Sequence, residues 1–154
     1  MKWPRGSLGQ GAFNTILGLV PKGGTILELG SGFSTSQLIK YYTVYSIEQD
    51  KRWLNKYHGN YIHAPIVNGW YDIEVLNKEL PAQYDLLIID GPAAKSKHPF
   101  IRLGFLQNIE LFNLNCPIMV HDVNRHVEKM LATTLGRIIN RPVNFKPTYK
   151  FVVI

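Results

Sequence analysis

Two glycines, Gly30 and Gly32, follow a short β-prone run and precede an amphipathic pattern, as in a strand, a tight loop and a helix. Glycine lets the backbone adopt positive φ and approach a ligand closely. The amides that open the next helix would present positive partial charge to that ligand. Ser34 is suitably positioned to cap the helix, with Gln37 as its partner in a capping box. The pattern predicts a ligand-binding corner within residues 25–38.

An acidic residue ends the next β-prone run. Glu48 follows Gly30 by 18 residues, and an acid at this spacing can accept hydrogen bonds from ribose hydroxyls. The loop lacks the third glycine of a dinucleotide fingerprint, because Thr35 stands in its position. Taken alone, the glycines fit an ordinary strand-to-helix turn and Glu48 fits a solvated strand end. Together they favour a ligand that contains a nucleoside.

Polar residues also follow two later apolar runs. Asp90 comes after the run 84–89, and His121 with Asp122 comes after the run 117–120. Open α/β sheets bind ligands beyond the carboxyl ends of their strands, so these three side chains are candidates for catalysis. His121 could be a general base because histidine titrates near neutrality. A turn-forming acid and a structural histidine are the competing interpretations.

Three sequence segments resemble the motifs of a known enzyme family. Residues 27–32, Leu-Glu-Leu-Gly-Ser-Gly, together with Ser46-Ile47-Glu48, resemble the S-adenosylmethionine-binding motifs of class I methyltransferases. Residues 84–92 resemble the fourth-strand motif of the same family, and the pattern covers the chain from about residue 20 onwards. The resemblance implies an α/β fold of three αβα layers, Rossmann-like, with a mostly parallel seven-stranded sheet and an antiparallel C-terminal strand.

The resemblance also implies a cofactor, S-adenosylmethionine, and a set of site residues. The cofactor-binding residues that it implies are Glu28, Gly30, Ser31, Gly32, Ser34, Thr35, Glu48, Gln49, Trp70, Tyr71 and Asp90. Trp70, Tyr71 and Asp72 are the candidates for contact with adenine, and a turn with partly buried aromatic residues is their alternative interpretation. Asp90, His121 and Asp122 are the candidates for the base that deprotonates an acceptor.

The expected acceptor is the hydroxyl group of a small molecule or sugar. Residues 90–93, Asp-Gly-Pro-Ala, depart from the motif of amino methyltransferases and look more like that of O-methyltransferases. Four basic residues are candidates for the lip of the cleft, although an exposed loop is the simpler interpretation of each: Lys95, Lys97, His98 and Arg102.

A divalent cation held by Asp90 and Asp122 is an alternative that the sequence does not favour. Metal-dependent relatives have an Asp-Asn pair after the fifth strand, whereas Val123 separates Asp122 from Asn124 in this chain. Two other functional classes stay open. One is a non-catalytic module that binds an adenosyl ligand. The other, less favoured, is a NAD-binding oxidoreductase, which normally needs a further substrate domain.

Composition limits the remaining expectations. The chain has 154 residues, 45% of them hydrophobic, which is enough for one domain, residues 1–154, with its own core. No apolar tract approaches the roughly 20 residues that span a bilayer, and a signal-peptide core is missing, so a cytoplasmic protein is expected. The net charge of +6 is spread along the chain and predicts no nucleic-acid partner. A homo-oligomer stays open, and the single cysteine, Cys116, is expected to pack in the core.

Hydrophobic spacing predicts the other elements. Helices are expected at residues 13–20, after Asp50 with Trp53 in the core, after Pro99 with Phe100 buried, and after Asn124 with Met130 and Ile138 buried. An edge strand is expected at 61–67, and a closing pair of strands at 142–145 and 149–154.

Overall fold

A computed structural model describes residues 2–94 and 97–154. The strands are β1 (Thr25–Leu29), β2 (Thr43–Glu48), β3 (Asn60–His63), β4 (Ile66–Val67), β5 (Trp70–Tyr71), β6 (Leu86–Ile89), β7 (Ile118–His121) and β8 (Phe151–Val153). The helices are α1 (Gly9–Leu19), α2 (Phe33–Leu38), α3 (Ile73–Glu79), α4 (Gly104–Gln107) and α5 (His126–Ile138), with single 3₁₀ turns at Ile101–Leu103 and Ile109–Leu111. No helix in the described ranges is long and apolar enough to cross a membrane.

The central sheet has the strand order β3-β2-β1-β6-β7-β8. Its first five strands are parallel, and β8 runs antiparallel to β7, with Phe151 opposite His121. The predicted mostly parallel sheet with an antiparallel C-terminal strand is therefore confirmed. The strand count differs from the prediction, because six strands form this sheet within the described residues, and β4 and β5 pair separately.

The missing seventh strand is explained by the segment 142–145, which forms no strand. Val143 and Phe145 pack against the core beside α5, and the Nζ of Lys129 lies 5.2 Å from the centroid of the Phe145 ring. Pro142 has no backbone N–H to contribute to a sheet ladder. This segment therefore covers α5 instead of extending the sheet.

Both faces of the sheet are buried. On one face Leu27 and Leu87 pack with residues of α3, α4 and α5, and on the other face Ile26 and Leu86 pack with residues of α1 and α2. Alternate side chains of a parallel strand point to opposite faces, which explains the continuous apolar runs. Cys116 is 7% exposed and packs in the first of these clusters, as predicted. The layers are helix, sheet and helix.

Several predicted helices differ from the structure. Residues 51–58 form turns, because the Asp50 carboxylate accepts a hydrogen bond from the Arg52 amide at 3.0 Å and Asn55 adopts a φ of 56°. Trp53 is consequently only partly buried and lies outside the core.

The other predicted helices also differ from the structure in their limits or in which residues they bury. The segment after Pro99 breaks into short turns, which leaves Phe100 61% exposed and buries Phe105. In α5 the predicted core residues Met130 and Ile138 are 39% and 55% exposed, because the buried stripe runs through Leu131 and Leu135. The N-cap of α5 is Arg125 rather than Asn124. Helix α1 begins at Gly9, four residues before the predicted start.

The predicted edge strand is shorter than expected. Strand β3 ends at His63 and is the edge of the sheet, and Pro65 lies beyond it. The chain then turns through Asn68 and Gly69, with φ of 52° and 84°, into the β4–β5 hairpin. Positive φ at both central residues is typical of a type I′ turn.

Candidate active site

A cavity of about 620 Å³ opens at the carboxyl edge of the parallel strands. It is bounded by the loops that follow β1, β2, β6 and β7, as expected for an open α/β sheet. The residues that line it include Gly6, Gly30, Ser31, Glu48, Gln49, Asp50, Lys51, Arg52, Trp53, Asp90, Arg102, Asp122 and Arg125. The predicted glycine corner, the acid that ends β2 and the acids after β6 and β7 thus share one cavity.

The glycine corner brings the loop after β1 against the loop after β6. Gly30 has a φ of 90°, and its amide donates to the carbonyl of Ile47 at 2.8 Å. A Cβ atom at residue 30 would lie 3.3 Å from the Cα and N atoms of Gly91. Both the backbone conformation and the close approach therefore require glycine here.

Helix α2 begins one residue before the predicted cap. Gly32 is its N-cap, and the hydroxyl of Thr35 accepts a hydrogen bond from the Gly32 amide at 3.0 Å. Ser34 does not cap the helix, so this prediction is wrong. Its hydroxyl instead accepts a hydrogen bond from the Leu8 amide at 2.9 Å, which ties the segment before α1 to the glycine corner.

Glu28 lies beneath the corner and does not line the cavity. The hydroxyls of Thr35 and Ser46 both donate to its Oε1, each at 2.6 Å. Burial raises the pKa of Glu28 to about 7, against the opposing effect of these two hydrogen bonds, and the nearby Asp90 and Glu48 carboxylates raise it further. Glu28, Ser34 and Thr35 are therefore arranged as supports of the loop.

Glu48 ends β2 and faces the cavity. Its Oε2 accepts from the Ser31 amide at 3.0 Å, and its Oε1 accepts from the Asp50 amide at 2.8 Å. The carboxylate thereby connects the glycine loop to the loop after β2. Each carboxylate oxygen can accept a second hydrogen bond. The next residue, Gln49, also lines the cavity, and its buried Oε1 has no hydrogen-bond partner among the described residues.

The aromatic residues predicted for this site, Trp70 and Tyr71, do not line its cavity. Trp70 and Tyr71 are 4% and 0% exposed and belong to the core. With Asp72 they border a separate cavity of about 500 Å³, and the Asp72 carboxylate caps α3 through the Glu74 amide at 3.0 Å. None of the three lines the cavity that contains Glu48.

Trp53 is the aromatic residue that lines the main cavity. It lies in the turns after β2, and the Nζ of Lys56 lies 3.9 Å from the centroid of its ring. The sequence analysis missed it because the helical spacing of Trp53, Leu54 and Tyr57 indicated a core face. Its position, five residues after Glu48, was the signal that could have identified it.

Asp90, His121 and Asp122 come together at the ends of β6 and β7. The Nδ1 atom of His121 lies 3.0 Å from Oδ1 of Asp90 and 3.5 Å from Oδ1 of Asp122. The side chains of Asp90 and Asp122 are 23% and 15% exposed and line the cavity, whereas that of His121 is 3% exposed and does not. Ligand atoms from the three side chains lie within 4.8 Å of one another.

Arg102 lines the cavity, as the expectation of a cleft residue had it, but it does not lie on an exposed loop. Its side chain is 6% exposed and lies between Asp90 and Asp122. Its Nη1 donates to Oδ2 of Asp122 at 3.1 Å, and its Nη2 lies 3.4 Å from Oδ1 of Asp90. Lys97 and His98 are exposed beside another cavity, and Lys95 lies outside the described residues.

Arg125 and Glu128, at the start of α5, complete this charged cluster. The Nη2 of Arg125 lies 2.9 Å from Oδ2 of Asp122. Glu128, which is 1% exposed, lies with its Oε1 3.5 Å from the Nη1 atoms of both Arg102 and Arg125. The start of α5 is thereby joined to the ends of β6 and β7 by ion pairs.

Comparisons with known proteins identify the fold. No protein-family model and no curated protein sequence matches the chain. Among solved structures, the chain is similar to the MycE methyltransferase of the mycinamycin biosynthetic pathway, solved with Mg and SAH, with a TM-score of 0.52 and 15% identity. It is also similar to the E. cuniculi Mtq2-Trm112 complex, described as responsible for methylation of the translation termination factor eRF1, with a TM-score of 0.50 and 19% identity. The chain has the methyltransferase fold.

The two similarities differ in extent. The match to MycE covers 86% of this chain and 41% of the MycE chain, so this chain spans about two fifths of that protein. The match to the Mtq2 complex covers 99% of this chain and 96% of the other. In this methyltransferase fold the glycine corner and the Asp90–His121 pair lie at the same edge of the sheet, the edge at which open α/β sheets bind ligands.

Proposed function

We propose that the protein is an S-adenosylmethionine-dependent methyltransferase that methylates a hydroxyl group of a small molecule or sugar. The observation that carries the proposal is one cavity lined by two chemically distinct sets of residues. Gly30 and Glu48 form one set and suit a nucleoside. Asp90, in contact with His121, belongs to the other set and suits removal of a proton.

The residues around Gly30 and Glu48 fit the cofactor. The carboxylate of Glu48 would accept from the ribose hydroxyls, and the loop at Gly30 and Ser31 would run alongside the rest of the ligand. The side chain of Gln49 and the ring of Trp53, which both line the cavity, would contact the adenine base. When bound, S-adenosylmethionine supplies an electrophilic methyl group. Gly30, Ser31, Glu48, Gln49 and Trp53 orient it towards the acceptor and exclude water.

Asp90 is the base in this proposal, and His121 positions it. Asp90 both lines the cavity and contacts His121, whose side chain does not reach the cavity. The Asp90 carboxylate would accept the hydroxyl proton of the acceptor when methyl transfer converts S-adenosylmethionine to S-adenosylhomocysteine. Asp122 also lines the cavity but lies against Arg102 and Arg125, so it is better suited to holding those side chains.

The acceptor class follows from the cavity. A volume of about 620 Å³ lies within the range for one small-molecule site. A bound cofactor would therefore leave room only for a small acceptor group. The lining is polar and charged, which suits a hydroxylated compound better than an apolar one. Because the Mtq2 complex is described as acting on a protein, an acceptor screen should contain proteins as well as sugars and phenols.

Calorimetric titration tests the proposal. The purified protein is titrated with S-adenosylmethionine, S-adenosylhomocysteine and NAD, and so are the variants Glu48→Ala and Glu79→Ala. The two sulfur nucleosides should bind with micromolar affinity, about 8 kcal/mol, and Glu48→Ala should weaken binding at least about tenfold. Glu79 is an exposed acid of α3 and serves as the matched control.

Each other outcome selects a different interpretation. Binding of NAD without the sulfur nucleosides would favour an oxidoreductase and overturn the proposal. Binding of the sulfur nucleosides without methyl transfer to any member of a broad acceptor panel would favour a non-catalytic adenosyl-binding module. Equal affinities of Glu48→Ala and Glu79→Ala would exclude Glu48 from the site.

A further inference from the structure

The guanidinium of Arg102 fills the space between the carboxylates of Asp90 and Asp122. Besides these two ion pairs, its Nε donates to the carbonyl of Pro92 at 3.2 Å and its Nη2 donates to the carbonyl of Asp90. A buried arginine with donors committed in this way is held rigidly. It therefore contacts Asp90 and Pro92 in the loop that follows β6, and Asp122, the residue after β7.

The same carboxylates have the composition of a divalent-cation site. Asp90, His121 and Asp122 offer two oxygens and one nitrogen within 4.8 Å of one another. The guanidinium of Arg102 already contacts both carboxylates, 3.1 Å from Asp122 and 3.4 Å from Asp90, so a cation bound to the same carboxylates would lie close to it. Two positive charges held close together repel strongly in a buried site. The residues present therefore do not fit a metal.

The charge balance of the cluster leads to the same conclusion. Within the described residues the cluster contains the carboxylates of Asp90, Asp122 and Glu128 and the guanidinium groups of Arg102 and Arg125. The three carboxylates and two guanidinium groups carry a combined charge of −1. Without Arg102 the balance is −2, which equals the charge that one divalent cation neutralises.

We propose that Arg102 is the built-in cation of this site and takes the place of a divalent metal between Asp90 and Asp122. Arg102 is a positioning residue, because it acts through the two aspartates. The inference deepens the proposed function, since it describes a methyl-transfer site that works without a metal, and it rests on that function only for the use made of the aspartates.

Binding of Mn²⁺ tests the assignment. The wild type, Asp90→Asn, Arg102→Gln, Arg102→Lys and the double variant Arg102→Gln/Asp90→Asn are titrated with Mn²⁺ alone, and their thermal unfolding is followed with and without the ion. The wild type and Arg102→Lys should show no specific binding. Arg102→Gln should bind Mn²⁺ at least about tenfold more tightly than the wild type, and its melting temperature should rise with Mn²⁺ through preferential binding to the folded state. The double variant should lose both effects.

A purely structural role for Arg102 would not produce this rescue by metal. The proposal is overturned if a folded Arg102→Gln variant binds no Mn²⁺, or if the wild type binds Mn²⁺ at a site that Asp90→Asn abolishes. The wild-type measurement stands even if Arg102→Gln fails to fold without metal, and folding of that variant only with Mn²⁺ would support the assignment. Because no titration contains S-adenosylmethionine, failure here leaves the proposed methyltransferase function standing.

Discussion

The Nδ1 atom of His121 lies 3.0 Å from Oδ1 of Asp90, across the neighbouring parallel strands β6 and β7. A carboxylate only accepts hydrogen bonds, so Nδ1 is the donor whenever Asp90 is in its carboxylate form. The other ring nitrogen, Nε2, is buried and has no hydrogen-bond partner among the described residues. His121 therefore orients Asp90 from inside the sheet edge, and Asp90 is the member of the pair that an acceptor can reach.

The first prediction separates the roles of these two residues. Asp90→Asn should lower kcat by about 10²- to 10⁴-fold, because an amide cannot take the proton of the acceptor. Affinity for S-adenosylhomocysteine should change little, since the proposed cofactor contacts lie at Gly30 and Glu48. His121→Gln should cause a smaller loss of kcat, as it disturbs only the orientation of Asp90. Steady-state kinetics with an acceptor found by screening, combined with calorimetry, measures both effects.

The prediction is contradicted if the His121 variant loses more activity than the Asp90 variant. If His121→Gln abolished turnover while Asp90→Asn retained it, the histidine would be the base and would have to become exposed during the reaction. Asp85→Asn is not a suitable control, because the Asp85 carboxylate accepts from the Thr25 amide at 2.7 Å and so supports β1. Glu79→Gln, on the exposed surface of α3, is the appropriate control.

The second prediction concerns pH and the buried carboxyl of Glu28. Its pKa in the folded state is about 7, above the usual value of 4.5. The folded protein therefore holds this proton more tightly than the unfolded chain does. The resulting contribution to stability is complete below about pH 4.5 and is lost as the pH rises through 7. The loss amounts to about 3 kcal/mol across that window.

Glu28→Gln should remove this pH dependence. A glutamine carbonyl can still accept from the hydroxyls of Thr35 and Ser46, and it has no proton to lose. Urea unfolding between pH 5 and 8 should give a flatter profile for the variant than for the wild type. Glu79→Gln should keep the wild-type profile. An unchanged slope in Glu28→Gln would mean that another group causes the dependence.

The third prediction tests the close approach at the glycine corner. Gly30→Ala should lower the free energy of unfolding by about 1 to 3 kcal/mol, because a non-glycine residue at positive φ is strained. Its Cβ would also lie 3.3 Å from the backbone of Gly91. Gly18→Ala is the matched control: no atom lies within 4 Å of a Cβ at this position in α1, and alanine should stabilise the helix by about 0.5 to 1 kcal/mol. Denaturant titration of both variants decides the comparison, and a neutral Gly30→Ala would contradict it.

The features that sequence analysis predicted well are local in the chain. The turn at Gly30 and the acid at Glu48 lie within one strand–helix–strand unit, so turn chemistry and spacing were sufficient to bring them together. Asp90 and Asp122 could be placed beside them because parallel strands present their carboxyl ends at one edge. The apolar runs before Asp90 and His121 correspond to β6 and β7, whose side chains are all buried because both faces of this sheet are covered.

The features that it missed depend on contacts between distant segments. The burial of Arg102 depends on partners at residues 90, 92, 122 and 128, and an isolated arginine in a basic loop carries no sign of them. The aromatic residue of the cavity was misassigned for a related reason. Trp70 is buried because its ring packs where a side chain at Gly104 would otherwise lie, and this contact spans 34 residues. Helical spacing at Trp53 suggested burial, but the Asp50 turn prevents that helix.

The last prediction concerns the aromatic residue proposed to contact the cofactor, which the structure favours as Trp53 instead of Trp70 or Tyr71. Trp53→Ala should weaken binding of S-adenosylhomocysteine by about tenfold or more, because stacking of a base on an aromatic ring contributes about 1 to 3 kcal/mol. Trp53→Phe should retain most of the affinity, since it keeps an aromatic face. Tyr71→Phe should bind like the wild type, because Tyr71 is buried outside the main cavity. If instead Tyr71→Phe lost affinity and Trp53→Ala did not, the adenine contact predicted from the sequence would be correct. Calorimetry on the three variants distinguishes these outcomes directly.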